Sequence, residues 1–280
     1  MVRPLAGSNH PWPHWWPAAA LGTAALLALV AWVSLNGRDA PSLVGVPRPA
    51  RVAVPAPPAQ ATWVTPLQRQ CQVRDARLVS RLEGLRQQLP QRVRSLQIDP
   101  SNYGERMTRD AYGNPVDNTP SVVVLHETVY GIGSAINTFT THHPNDADQV
   151  SYHVLIGENG QVVQALDPSK RAFGAGYSAF KGRWDITNPT MAGSVNNFAL
   201  HLSLETPLDG EDSDRSHSGY SQRQYDAMAV VLADWLKRYR IPFDHITTHR
   251  HVDLGLERAD PRSFDWQALQ VRLAALGALC

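Results

Sequence analysis

Seven prolines between residues 40 and 66 (Pro41, Pro47, Pro49, Pro55, Pro57, Pro58 and Pro66) divide this chain of 280 residues. Each ring fixes φ and removes a backbone donor, so neither a regular helix nor a central strand can run through that stretch. It is confined to extended, polyproline-like backbone, which behaves as a semi-rigid spacer. On its N-terminal side, Ala18 to Leu35 carries no charge, and its length is near the minimum of about 17 residues for a membrane-spanning helix. Trp12, Trp15, Trp16 and Trp32 lie toward its two ends, where indole favours the headgroup region. The run is longer than a usual signal-peptide core and no small-x-small cleavage site follows it, so an uncleaved anchor is expected. Arg3 and the terminal amine precede it, while Arg38 and Asp39 cancel after it. That tilts the N-terminus toward the cytoplasm and the rest of the chain outward.

Five segments follow from this division. Residues 1–17 form a short tail, 18–35 the transmembrane anchor or uncleaved signal, and 36–66 the proline-rich linker. Residues 67–97 are rich in Arg and Gln, with Val73, Leu78, Leu82 and Leu85 as a partial apolar stripe before Pro90 interrupts it. They predict a helical stalk or a brace against the body. Residues 98–280 form the compact domain. With 43% hydrophobic and 18% charged residues, the chain has the composition of a protein with a real core. A formal net charge of +1 supplies no basic field, which argues against nucleic acid as a partner.

Within the compact domain the periodicity changes repeatedly. Ser121 to Leu125 (SVVVL) is β-branched and short, as in a buried strand. Gly131 and Gly133 break the chain, and Ser134 is a plausible N-cap for a helix ending near His142. Ser151–Ile156 and Gln161–Leu166 flank Gly157-Glu158-Asn159-Gly160 and predict a hairpin. Phe198 to Glu205 alternates apolar with other residues, so one buried face is expected. Ser221 with Gln224 has the capping-box spacing. It opens a helix with Tyr225, Met228, Leu232, Trp235, Leu236 and Tyr239 on one face, stopped by Pro242. His245 to Thr248 is a short strand, and a last helix begins near Phe264. Strands interleaved with helices imply an α/β fold, a mixed central β-sheet flanked by helices.

Most of the eleven histidines are expected to be ordinary: His142, His143 and His217 sit in polar loop sequence, where solvation is the default. His126 ends an apolar strand, His249 follows another, and Asp260 stands before a proline. Two imidazoles and a carboxylate from separate elements can hold zinc with one position open, the pattern of a hydrolytic site. Cys71 and Cys280 have no metal-like spacing. An exported location would permit a disulfide between them, and two free thiols is the other reading.

Six segments stand in an order that resembles the zinc amidases, a group including phage-lysozyme amidases, peptidoglycan recognition proteins and bacterial muropeptide amidases. They are VVVLHET (122–128), VSYHVLIGENGQVVQ (150–164), AFGAG (172–176), LHLSLETP (200–207), ITTHRHVD (246–253) and RADPRSFDW (258–266). The resemblance covers about half the chain and excludes its first hundred residues. It implies an amidase/peptidoglycan-recognition-like fold and a Zn2+ cofactor held by His126, His249 and Asp260, with His251 the rival for the second place. It also implies hydrolysis of the amide between N-acetylmuramic acid and L-alanine. Tyr152 matches a tyrosine kept beside the metal, and Arg258 a cation that could stabilise an oxyanion. His153, next to Tyr152, points to the other face and is expected to pack.

Two positions depart from the group. Muropeptide amidases place a glutamate in an Ile-Gly-Ile-Glu strand, where this chain has Ser203. Glu205 lies on the same face one pleat repeat (roughly 6.6 Å) further on. It is the first candidate for the catalytic proton carrier, with Glu127 the second, and a mechanism using Tyr152 and zinc without a glutamate the third. Gly174 stands where relatives often carry histidine. The expected protein is therefore a peptidoglycan or muropeptide amidase held at the cytoplasmic membrane by a single span, its catalytic domain on the outer side. The alternative is a recognition module that binds wall fragments on the same fold without cutting them.

Overall fold

The computed structural model describes residues 52–280. The expected anchor at 18–35, the tail before it and the start of the linker lie outside the described residues. Among the described residues no helix is long and apolar enough to cross a membrane.

Among the described residues, eight strands make two sheets. In chain order they are β1 (Arg94–Ser95), β2 (Tyr103–Glu105), β3 (Val122–Glu127), β4 (Val154–Ile156), β5 (Val162–Gln164), β6 (Lys170–Ala172), β7 (Ala199–Leu204) and β8 (Ile246–Thr248). The main sheet has the order β1-β5-β4-β7-β3-β8, and β2 pairs with β6 separately. Only β4 and β5 run antiparallel in the main sheet, as the hairpin motif predicts, and the other neighbours are parallel. The fold is the expected mixed α/β arrangement. Among the described residues its helices are α1 (Ala76–Arg92), α2 (Ile132–Thr140), α3 (Gln222–Tyr239), α4 (His249–Val252) and α5 (Trp266–Ala275).

Alternation along the strands sends side chains to two different cores. Val123, Leu125, Leu200, Leu202, Leu204 and Ile246 pack with Met228, Leu232, Trp235, Leu269 and Leu273 of α3 and α5. Each fully buried side chain of this size contributes about 1.5–3 kcal/mol. On the opposite face the apolar packing is split. Phe139 of α2 joins Leu155 and Val163 in one cluster, while Val122, Val124, Phe180, Val195 and Phe198 form another. The face-matched residues of β7 lie between them. Val124 is in register with His201, and Ser203 with both His126 and Leu155.

That placement corrects the reading of β7 as a strand with one buried face. All six residues from Ala199 to Leu204 are buried, because β7 is internal to the sheet and covered on both sides. The capping box at Ser221 is present in both halves, Gln224 N–H donating to Ser221 Oγ and Ser221 N–H to Gln224 Oε1. Helix α2 begins earlier than Ser134 and stops at Thr140. Its start is capped from elsewhere: Gly131 N–H donates to Glu211 and Ile132 N–H to Glu205.

Residues 52–97 belong to the same compact unit as the domain that follows them. Helix α1 starts only at Ala76, capped by the Asp75 side chain, and runs past Pro90 to Arg92. It braces the body, since Arg81 and Arg272 of α5 both pair with Asp226 of α3. The described part of the linker is extended, as its prolines require, but it is fastened along the domain. Asn114 exchanges hydrogen bonds with the Val52 backbone, and Trp184 Nε1 donates to the Pro55 carbonyl. Gln60 Nε2 donates to the carbonyls of Ala179 and His251, and Trp63 Nε1 to that of Asp244. Leu67 is buried in the core, and Gln68 exchanges hydrogen bonds with Gln270.

A disulfide between Cys71 and Cys280 closes this strap, across a sequence separation of 209. A cross-link over so long a loop restricts the unfolded chain strongly. Cys71→Ser is therefore expected to lower the unfolding free energy by about 2–5 kcal/mol, read as a lower urea midpoint. An unchanged midpoint would show that the cross-link contributes nothing to stability.

Candidate metal and active site

Strands β3 and β8 are parallel neighbours with Leu125 in register with Thr248. Their C-terminal ends therefore open on one edge of the sheet, the place where α/β folds gather functional groups. The next residue on each is a histidine: His126 is the penultimate residue of β3, and His249 begins α4. Thr248 Oγ1 accepts the His251 N–H and so caps that short turn. Asp260 arrives on the following loop. Asp253 organises this loop by accepting the N–H groups of Glu257 and Arg258 on Oδ2, at 2.7 and 2.9 Å. Arg250 N–H then donates to the Asp260 carbonyl.

His126 Nδ1 stands 3.3 Å from Asp260 Oδ2, and His249 Nδ1 3.0 Å from Asp260 Oδ1. The three potential ligand atoms all lie within 4.8 Å of one another. Ligand atoms arranged tetrahedrally about zinc at about 2.0–2.1 Å are separated by about 3.3–3.4 Å. The residues fit such an ion in donor type, and the two pairs that include Asp260 have close to this spacing. Burial drives the His126 imidazole neutral, to a pKa of about 4. Burial also opposes charge on Asp260, but hydrogen bonds from His126 and His249 outweigh it and hold the carboxyl well below its ordinary range. A half-buried carboxylate beside an imidazole that burial keeps neutral presents lone pairs and negative charge to a cation, which is what a metal site requires.

The structure brings some of the expected residues to this cluster and gives others different work. Tyr152 stacks on His126, ring centroids 4.3 Å apart and planes 22° from parallel. Its phenol makes no hydrogen bond among the described residues, and burial raises its pKa well above the ordinary value. Arg258 is exposed, yet its charge is felt at His126 and Tyr152. His251 turns away and packs its ring on Trp63 at 4.6 Å. Glu205 has no hydrogen bond to the cluster: Oε1 accepts the Ile132 N–H and Oε2 the Glu158 N–H, each at 2.7 Å. It clips the start of α2 to the β4–β5 turn. Glu127 faces the other side of the sheet, where it accepts from Arg262 and Tyr220 and meets His217 Nε2 at 3.1 Å. The His217 side chain is thereby fully buried rather than solvated.

The sequence profile of the family described as N-acetylmuramoyl-L-alanine amidase matches residues 116–263, which include His126, His249 and Asp260. The chain belongs to this family. Among curated proteins it is similar to the 1,6-anhydro-N-acetylmuramyl-L-alanine amidases AmpD of Escherichia coli K12 and Salmonella typhimurium LT2. The first is 30% identical over 173 residues, covering 56% of this chain and 84% of that protein. The second is 28% identical over 174 residues, covering 57% and 84%. Among solved structures, a crystal structure of a selenomethionine AmpD derivative aligns with 25% identity and a TM-score of 0.48, covering 63% of this chain and 92% of that one.

In this amidase the cluster residue that sequence reasoning missed lies on β7. His201 is fully buried and sits 2.9 Å from the His126 ring. The only sequence signal for it is its place on the polar-alternating face of LHLSL. His153 packs as expected, fully buried, with burial lowering its pKa to about 3. Histidines held neutral in the fold bind fewer protons than the unfolded chain does, so their stabilisation is complete above the ordinary histidine value of about 6.5. It is lost as pH falls toward about 4 for His126 and about 3 for His153. The metal-free amidase is therefore expected to lose stability from about pH 6.5 downward, with proton uptake on unfolding. Urea midpoints at a series of pH values test this, and a flat profile from pH 7 to 4 would contradict it.

Proposed function

We propose that this amidase hydrolyses the bond between N-acetylmuramic acid and L-alanine in peptidoglycan or soluble muropeptides, with zinc as its cofactor. The observation carrying this reading is the cluster of buried His126 and His249 with half-buried Asp260, whose ligand atoms all lie within 4.8 Å of one another at the sheet edge. When bound, zinc would be held by His126, His249 and Asp260 and would supply Lewis acidity to water and to an amide carbonyl. The chain's own groups supply orientation and charge. Tyr152 stays protonated because burial raises its pKa, so its phenol can donate to an oxygen gaining negative charge. Arg258 adds positive charge at the mouth. Glu205 and Glu127 are both engaged as acceptors, which favours the mechanism that relies on Tyr152 and the metal without a free glutamate.

Location is part of the proposal. The uncharged run at 18–35 reads as a single span in the cytoplasmic membrane, with the domain outside. The Cys71–Cys280 disulfide supports export, since such bonds persist in oxidising compartments. Protein recovered from the membrane fraction should retain residues 18–35 at its N-terminus. N-terminal sequencing that begins after Leu35 would replace the anchor with a cleaved signal.

The activity test is release of stem peptide from a defined muropeptide, with and without chelator. His126→Ala, His249→Ala and Asp260→Ala are expected to lose both metal and turnover, whereas His251→Ala retains the metal. Tyr152→Phe should keep the metal and lower kcat by about 10²-fold, as loss of one oxyanion donor does. Glu205→Gln should cost about 1–3 kcal/mol of stability while the folded enzyme turns over within a few-fold of wild type. A large kcat loss there with unchanged stability would return the proton-carrier role to Glu205. Binding of muropeptide by the metal-loaded protein without any release would leave a recognition module instead.

A further inference from the structure

His126 has two ring nitrogens with opposite demands. Nδ1 faces Asp260 at 3.3 Å, and Nε2 faces His201 Nδ1 at 2.9 Å. A neutral imidazole carries one proton, so one nitrogen donates and the other presents a lone pair. Asp260 alone would draw the proton to Nδ1, where its carboxylate could accept it. A ligand needs the reverse, with Nδ1 bare.

His201 offers the competing acceptor. It is fully buried, and its other ring nitrogen has no partner among the described residues. The contact with His126 is therefore the one side-chain hydrogen bond that this ring makes. Its backbone N–H donates to His153 Nδ1 at 3.0 Å, which leaves the His153 proton on Nε2, 3.2 Å from the Lys170 carbonyl. The two rings lie within 3° of parallel. Room for His201 exists because residue 174 has no side chain: a Cβ on Gly174 would stand 2.3 Å from His201 Nδ1. The ring is thus held on its backbone side by His153 and given its space by Gly174.

We propose that His201 is a positioning residue that accepts the Nε2 proton of His126 and so keeps its Nδ1 free for the metal. The inference rests on the metal reading of the cluster. Metal-bound histidines usually donate their second N–H to a carboxylate, a carbonyl or water, and removing that partner weakens metal affinity about 10–100-fold. Here a second imidazole takes that place.

Two substitutions separate this role from space filling. His201→Leu keeps bulk and removes the acceptor, whereas His201→Asn sets Oδ1 near the former Nδ1. Zinc dissociation constants, measured by competition with a chromogenic chelator, should weaken about 10–100-fold in His201→Leu and stay within a few-fold of wild type in His201→Asn. Long-range 1H–15N spectra of the metal-free protein should show wild-type His126 protonated on Nε2. Equal affinity in wild type and His201→Leu would overturn the proposal, as would an asparagine variant no better than the leucine one. Protonation of wild-type His126 on Nδ1 would do the same. If His201→Leu does not fold, the wild-type spectrum and the asparagine variant still decide. Failure of the wild-type protein to bind zinc would remove the metal reading and this inference together. Tight wild-type binding left intact in His201→Leu would remove only the inference.

Discussion

Burying imidazoles against a β-sheet costs free energy unless their nitrogens find partners and their charge is given up. His126, His153 and His201 are all fully buried on one side of this sheet, and the rest of the site is arranged around that requirement. His153 is satisfied by the His201 backbone and the Lys170 carbonyl. His126 is spanned between His201 and Asp260. The apolar packing of this face divides into two clusters on either side of these rings, so the polar seam is enclosed without interrupting the larger core under α3 and α5. The seam ends at the sheet edge, where His249 and Asp260 meet it.

Much of this was legible in the sequence because the signals were local. The SVVVL run, the hairpin turn and the Ser221–Gln224 capping box depend on neighbours a few residues apart, and the structure has each of them. His126 and His249 were legible for a different reason: each follows an apolar strand directly, and parallel strands align such positions. What the sequence did not carry was pairing across long distances. Alternation along 198–205 suggests a half-exposed strand, but burial there depends on neighbours contributed by β3, β4 and the loops near residues 174 and 195. Glu205 shows the same limit. Its parity places it on the correct face, yet its carboxylate is claimed by amides at Ile132 and Glu158, 73 and 47 residues away.

His217 and Glu127 extend the point. A histidine in a serine- and aspartate-rich loop reads as solvated, but Glu127 on the far side of β3 draws it inward together with Arg262 and Tyr220. Adjacent residues of β3 thus serve two unrelated purposes. His126 belongs to the cluster, and Glu127 ties the loops over α3 to the sheet. Alternation in a strand separates the two tasks by one residue and one layer.

The fastening of residues 52–71 along the body sets the reach of the catalytic face. Proline-rich sequence through residue 66 suggests a long standoff, but the strap is already committed at Val52 by Asn114. If the proposed span ends at Leu35, only the 16 residues from 36 to 51 remain as leash. Fully stretched, they cover at most roughly 55–60 Å. On that proposal the body would be confined to a thin shell above the bilayer, and its substrates would have to reach that shell.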